Sequence, residues 1–267
     1  MPDIYAAITE LDRETQGRLA DLIEARAADP RQRAMLEAYL TEIEFPPAAH
    51  VLEIGCGTGA VTRTLARWPG VARAVGVDPS EVFLQRARAL ASDLPQLSFL
   101  PGDGRQLPFD ANGFDVVVLH TTLCHVPAPE GVLRESRRVL RPGGWLAVFD
   151  GDYATATVAL GDHDPLEDCI QAFRENYVHD PWLVRRLPRL LTAAGFEPRQ
   201  MRSHGYVEAA VGGYMLSLIT RGAEVLLRAG HIGPDKARVL EAEAQRRSDA
   251  GTWFGHIAFA SLLGRKR

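Results

Sequence analysis

The sequence predicts an α/β fold built on a doubly wound, mostly parallel sheet, and three observations carry that reading. From about Ala48 to Asp150, short apolar runs alternate with helix-like segments. The turn after the first run is glycine-rich, GCGTGA (Gly55 to Ala60). The fourth run, FDVVVLH, is apolar without strict alternation, as a strand covered on both faces should be. Parallel strands alternating with helices need crossovers, which are right-handed and cover both faces of the sheet.

The elements follow in order. HVLEIG (His50 to Gly55) reads as a buried strand, and Thr58 to Arg67 as a helix stopped by Trp68-Pro69-Gly70. Ala72 to Asp78 is a second strand, and Ser80 to Ala91 a second helix with Ser80 as N-cap. Leu97 to Leu100 is a third strand and Phe114 to His120 a fourth; a helix from Glu130 to Leu140 stops at Arg141-Pro142-Gly143-Gly144. Trp145 to Asp150 is the fifth strand. In such a sheet, ligands bind beyond the carboxyl ends of the strands. The positions that matter are therefore Gly55 onward, Asp78, Asp103 and His120.

Two additions flank this core. Residues 10–43 look like two polar, Ala-rich amphipathic helices, so that residues 1–45 form a helical cap before a main domain of residues 46–267. After Asp150 the pattern gives helices near 165–178 and 182–194, a strand at 198–203, two helices over 207–248 broken at Gly230 and Gly233-Pro234, and a last strand in TWFGHIAFASLLGRK. The segment at about 207–250 reads as a helical lid or insertion.

Composition narrows the function. Lys and Arg number 30 against 34 Asp and Glu, a formal charge of −4. That mild acidity argues against a dedicated nucleic-acid binder, and no arginine-aromatic interleaving typical of a single-strand groove stands out. No run reaches the length of a membrane helix, and the N-terminal residues lack the basic-then-apolar pattern of a signal peptide. Cys56, Cys124 and Cys169 are widely spaced, with no CxxC, which fits a reducing cytoplasm better than a disulfide scaffold or a structural zinc site.

Glycines in the first turn permit positive φ and close approach of a ligand to the backbone, and the helix behind them offers free N–H groups. Gly55-x-Gly57-x-x-Ala60 also satisfies a dinucleotide fingerprint, with Asp78 near the distance of a ribose-binding acid. A nicotinamide oxidoreductase is therefore one reading of the loop. Glu53 separates the two cofactors. A pyrophosphate gains nothing from a carboxylate two residues before the glycines, whereas the ammonium of an amino-acid-bearing ligand needs an anionic partner. Asp78 can accept both ribose hydroxyls, and Asp103, in PGDG, can accept from an adenine amino group.

VLEIGCGTGAVTRTLA, GVDPS, GDG, FDVVVLHTTLCHVPAP and LRESRRVLRPGGWLAV resemble, in order and spacing, the class I S-adenosylmethionine methyltransferases. They look most like the ubiquinone/menaquinone-biosynthesis branch, over about Ala48 to Asp150. The resemblance implies a Rossmann-like, seven-stranded sheet whose last strand, near Trp253 to Leu263, is antiparallel. It implies that Glu53, Gly55 and Gly57 surround the methionine part of S-adenosylmethionine, Asp78 the ribose, and Asp103 and Gly104 the adenine. Cys56, Pro79, His120 and Thr121 complete that cofactor wall. The expected activity is methyl transfer to oxygen, nitrogen or carbon of a small, partly apolar metabolite; a non-catalytic S-adenosylmethionine-binding protein is the rival of another class.

His120, at the mouth of the fourth strand, is the candidate general base, against a reading in which only its backbone lines the cofactor. His125 reads as a structural residue opening the next helix. Asp152, Tyr153, Asp162, His163 and Asp164 cluster after the fifth strand. An acidic loop capping a helix that begins at Pro165 explains them better than a metal. Tyr177 and His179 are placed either at the pocket or at a helix end, and Tyr5 in a lid over the cofactor. The apolar residues of Tyr214 to Leu227 read as packing against the sheet, as a lid that excludes water, or as a homodimer contact.

Overall fold

The computed structural model describes residues 3–267; the first two residues of the expected N-terminal cap lie outside that range. The sheet runs in the order β3-β2-β1-β4-β5-β8-β6, with β7 also paired to β8. The first five strands are β1 (Ala49–Ile54), β2 (Val71–Asp78), β3 (Leu97–Pro101), β4 (Phe114–His120) and β5 (Leu140–Thr157). They are mutually parallel, and β8 (Trp253–Lys266) is antiparallel to β5. Strand order reverses between β1 and β4, so the carboxyl ends of these two strands flank the crevice where a ligand can enter.

The doubly wound α/β class read from the sequence is therefore the observed one. The single strand expected at 198–203 is two segments, β6 (Phe196–Pro198) and β7 (Arg202–Ala210), both antiparallel to β8. Their registers on β8 differ by one residue, since Pro198 faces Gly264 while Arg202 faces Ser261. One edge strand is thus interrupted by an irregular step, which turns seven strand positions into eight strands. The same pairing extends the edge to Ala210 and shifts the insertion: residues 207–210, expected to open a helix, belong to β7.

Helices α3 (Ala60–Ala66), α4 (Glu81–Leu90) and α5 (Glu130–Val139) are the crossovers. α3 starts two residues later than its sequence pattern implies, because Gly57 and Gly59 take φ of 52° and 75°, which no α-helix contains. Ser80 caps α4 as expected, its hydroxyl accepting from the Phe83 N–H at 3.1 Å. β5 is much longer than Trp145 to Asp150, since the 14-residue β8 gives it a partner as far as Thr157.

Before the sheet come α1 (Arg13–Ala28) and α2 (Pro30–Leu40). Asp29 joins them: it closes α1 and caps α2, accepting from the Arg31 N–H at 2.8 Å ahead of which Pro30 starts the helix. After β5 come α6 (Glu167–Tyr177), α7 (Leu187–Ala193), α8 (Tyr214–Arg228) and α9 (Pro234–Asp249). α6 opens at Glu167 rather than Pro165, since the Asp164 carboxylate takes the Leu160 and Leu166 N–H groups and fixes a turn there. The helix expected at 182–194 is a 3-10 turn followed by α7, with the change at Pro188. Met215, Leu218, Ile219 and Ala223 of α8 are buried within the chain. Among the described residues, no helix is long and apolar enough to cross a membrane.

Candidate cofactor and acceptor site

The turn after β1 is built to bring backbone, not side chains, to the crevice. Gly55 and Gly57 have φ of 71° and 52°. A Cβ on Gly55 would lie 2.3 Å from the Thr122 methyl, so the residue is glycine for space as well as conformation. The Gly55 N–H donates to the Val77 carbonyl at 2.8 Å, tying the turn to β2. The Gly57 N–H donates to one oxygen of Asp78 at 2.8 Å and the Ser80 N–H to the other at 2.9 Å. Asp78 is thus a clamp between the glycine turn and the start of α4. Burial pushes its carboxyl up to about 6, and the two N–H donors oppose that rise.

Glu53 lies one strand residue before Ile54, is only 2% exposed, and accepts from the Thr62 hydroxyl. Burial raises its pKa to about 8; the Thr62 hydrogen bond works against the rise and the nearby Asp78 charge adds to it. The isolated chain therefore keeps a protonated carboxyl beside the glycine turn at neutral pH. At that pH a cation arriving next to it would ionise it.

These residues open into one cavity of about 800 Å³. All ten residues singled out as a cofactor wall line it: Glu53, Gly55, Cys56, Gly57, Asp78, Pro79, Asp103, Gly104, His120 and Thr121. At the Asp103 end, Arg105 grips the carboxylate through its Nε at 3.0 Å and one Nη at 2.6 Å, which holds the Asp103 pKa down. Gly104 has no room for a side chain, since a Cβ would meet Ile54 at 2.5 Å.

The other end of the cavity was not visible as a motif. It is formed by the α1–α2 cap, the segment around Tyr5, and α8. Arg26 of α1 is enclosed; one Nη donates to the Thr121 hydroxyl at 3.1 Å and the other has no hydrogen-bond partner among the described residues. Its guanidinium lies 5.3 Å from the Tyr214 ring centroid and 5.4 Å from that of Phe259. Gln32 of α2, 4% exposed, lines the same space with both amide atoms unpartnered among the described residues. Arg221 of α8, 9% exposed, bonds among the described residues only to Ser217 one turn back and lies over Phe173 at 4.7 Å. Sequence did carry a signal for both arginines. Arg26 falls on the helical stripe of Leu19, Leu22 and Ile23, and Arg221 on that of Tyr214 and Leu218, each a charge where an apolar residue would pack.

Two further residues fix the walls. The Asp3 carboxylate, 4% exposed, accepts from the His125 ring at 2.7 Å and from the N–H groups of Tyr5 and His179. This pins the Tyr5 segment across the cavity, with Tyr5 against the His125 ring at 4.7 Å between centroids. Glu208, fully buried, accepts from the Gly213 and Met215 N–H groups, the Tyr206 hydroxyl and the Trp253 indole. It fixes the start of α8, and so the position of Tyr214.

His120 lines the cavity, and its ring is fixed by two core neighbours. It stacks on Phe149 at 4.5 Å and its Nδ1 lies 3.0 Å from the Tyr39 hydroxyl. Burial, aided by the Arg26 charge, holds its pKa well below 6.5, so it is neutral. Tyr39 is buried, its pKa is raised well above 10 by burial, and it has no other partner among the described residues; it therefore donates to Nδ1. The imidazole proton then resides on Nε2. Of the remaining candidates, Tyr153 lines the cavity, while Tyr177, His179, Asp152, Asp162, His163 and Asp164 do not. Asp164 is occupied by Arg247 and Asp152 by Arg185. Cys56, Cys124 and Cys169 are all buried.

Comparison with known proteins fits this geometry. The family model described as a methyltransferase domain matches residues 52–148. Within that span lie the end of β1, β2 to β4, α3 to α5 and all ten residues of the glycine-turn wall. A 2-phytyl-1,4-naphtoquinone methyltransferase of Thermosynechococcus vestitus is 32% identical over 53% of this chain and 58% of its own. The first curated relatives share only 48% and 36% of their own length with it, so the chain spans about half or less of those proteins. Among solved structures, a methyltransferase of Bacillus halodurans superposes with a TM-score of 0.63 at 20% identity, covering 86% of this chain and 98% of that one. The [4+2]-cyclase SpnF has the same fold, with a TM-score of 0.57 at 22% identity over 88% of this chain and 80% of its own. At these identities the likeness speaks to fold alone.

Proposed function

We propose that the chain is an S-adenosylmethionine-dependent methyltransferase acting on a small, partly apolar molecule. The observation that carries this reading is one continuous cavity joining the glycine turn, Glu53 and Asp78 to an aromatic chamber walled by Tyr5, Tyr153 and Tyr214. The donor set suits the cofactor. Glu53 can meet an ammonium, Asp78 keeps lone pairs for ribose hydroxyls, and Gly55, Gly57 and Gly104 leave the backbone open where a Cβ would intrude or strain. A pyrophosphate would instead bring two negative charges toward the buried Asp78, ionised at neutral pH, which disfavours the nicotinamide reading.

When bound, the cofactor supplies a methyl group already activated by its sulfonium. The chain's own part is then to bind, orient and exclude water. The Tyr5 segment, pinned by Asp3, and α8, pinned by Glu208, close the acceptor chamber from two sides. His120, neutral and protonated at Nε2, is suited to donating a hydrogen bond and orienting the acceptor, and less suited to removing a proton. The relation to sterol and quinone methyltransferases supports an acceptor with an apolar body.

The test is calorimetric titration with S-adenosylmethionine, S-adenosylhomocysteine and NADH in parallel. Micromolar-range binding of the adenosyl sulfur compounds alone is expected. Binding of NADH alone would replace this reading with an oxidoreductase, and cofactor binding with no turnover across a broad acceptor screen would favour a non-catalytic or non-methylating role.

A further inference from the structure

Arg26, half-buried as a residue but with one buried, unpartnered Nη, and the buried Arg221 line one cavity, and neither has a carboxylate within ion-pair distance among the described residues. Acids around the chamber are committed elsewhere: Asp3 to His125 and His179, Asp29 to Arg31, Asp150 to the Cys124 and Gly151 N–H groups, and Glu208 to four donors. A buried guanidinium without a counter-charge is costly, so the arrangement is poised for an anion. The methionine part of the cofactor brings one carboxylate, which can satisfy one arginine at most. Arg26, bonded to Thr121 beside the glycine turn, is the one within that reach. Arg221 lies on α8, at the chamber end, and remains.

Resting on the methyltransferase reading, we propose that the acceptor is an acid: a molecule with an aromatic or apolar body and a carboxylate or phosphate held by Arg221. The chamber supplies both halves of that recognition. Phe173 and Tyr214 offer apolar faces, while the Arg221 guanidinium, 4.7 Å from the Phe173 ring centroid, keeps Nη1 without a hydrogen bond among the described residues and so available to an oxyanion. The unpartnered Gln32 amide and the Tyr5 and Tyr153 hydroxyls on the same cavity supply further donors.

The test uses 2-naphthoate as probe and 2-naphthamide as its neutral isostere, titrated calorimetrically into the full chain with and without saturating S-adenosylhomocysteine. The acid should bind about tenfold or more tightly than the amide, the scale of a charged hydrogen bond. Arg221→Gln should erase that preference, Arg221→Lys should keep part of it, and both should bind S-adenosylhomocysteine as the parent does. That retained binding shows the variants are folded. Equal affinity for acid and amide, no measurable binding of the acid at millimolar concentration, or a preference that survives Arg221→Gln would each overturn the proposal. Failure of S-adenosylhomocysteine to bind while naphthoate still prefers the parent would sink the methyltransferase reading and leave the anion site standing.

Discussion

Glu53 gives the sharpest test of the cofactor end. Its carboxyl has a pKa of about 8 in the isolated chain, because burial outweighs the Thr62 hydrogen bond. A ligand that places an ammonium beside it must ionise it, so binding below about pH 8 releases one proton. Linkage then makes the affinity for S-adenosylhomocysteine rise about tenfold, or about 1.4 kcal/mol, per pH unit between roughly pH 6 and pH 8. At higher pH still, the ligand's own α-ammonium loses its charge and the affinity falls again. Calorimetry in two buffers of different ionisation heat reads the released proton directly. Glu53→Gln should bind more weakly and lose the rising limb. The same carboxyl affects stability with the opposite slope. Its folded pKa is raised, so the native state holds a proton that the unfolded chain gives up above about 4.5. Its contribution is full below that value and is lost as pH climbs toward 8, by about 1.4 kcal/mol per unit. The melting temperature of Glu53→Gln should accordingly gain on that of the parent as pH is raised. A flat affinity in the parent, or an equal slope in both proteins, would show that no ammonium meets Glu53.

Gly55→Ala adds a Cβ 2.3 Å from Thr122 at a φ of 71°; it should cost about 2–4 kcal/mol by strain and overpacking together, read by denaturant unfolding. An unchanged midpoint would mean that the turn is far more plastic than drawn. Asp3→Ala removes four hydrogen bonds that hold the Tyr5 segment, so limited proteolysis should cut near the N-terminus within minutes while the main unfolding transition moves little; equal protection in parent and variant would refute the clamp. His120→Ala should lower turnover about tenfold at saturating cofactor, the scale of one lost orienting hydrogen bond. A loss of about a hundredfold or more, with a limb near neutral pH that vanishes in the variant, would restore the histidine as general base.

The core of the fold was legible in the sequence because its causes are local. Unbroken apolar runs such as FDVVVLH, the GCGTGA turn and the RPGG stop each act within a few residues, and the acids at strand ends follow from the strand spacing. Sequence by itself thus determined the parallel sheet and a glycine-turn wall containing Glu53, Asp78 and Asp103, while the strand order, and with it the switch point between β1 and β4, came from the tertiary structure. What lay beyond it depends on contacts between distant segments. The edge strand splits into β6 and β7 because β8 dictates their register, and β5 lengthens because β8 is there to pair with it. Arg26 and Arg221 stand almost 200 residues apart, and only the packing of α1 and α8 on one chamber brings them to the same cavity. The pKa of Glu53 and the tautomer of His120 are likewise tertiary facts. Both are set by burial and by the Thr62 and Tyr39 hydroxyls, whose approach no spacing along the chain encodes.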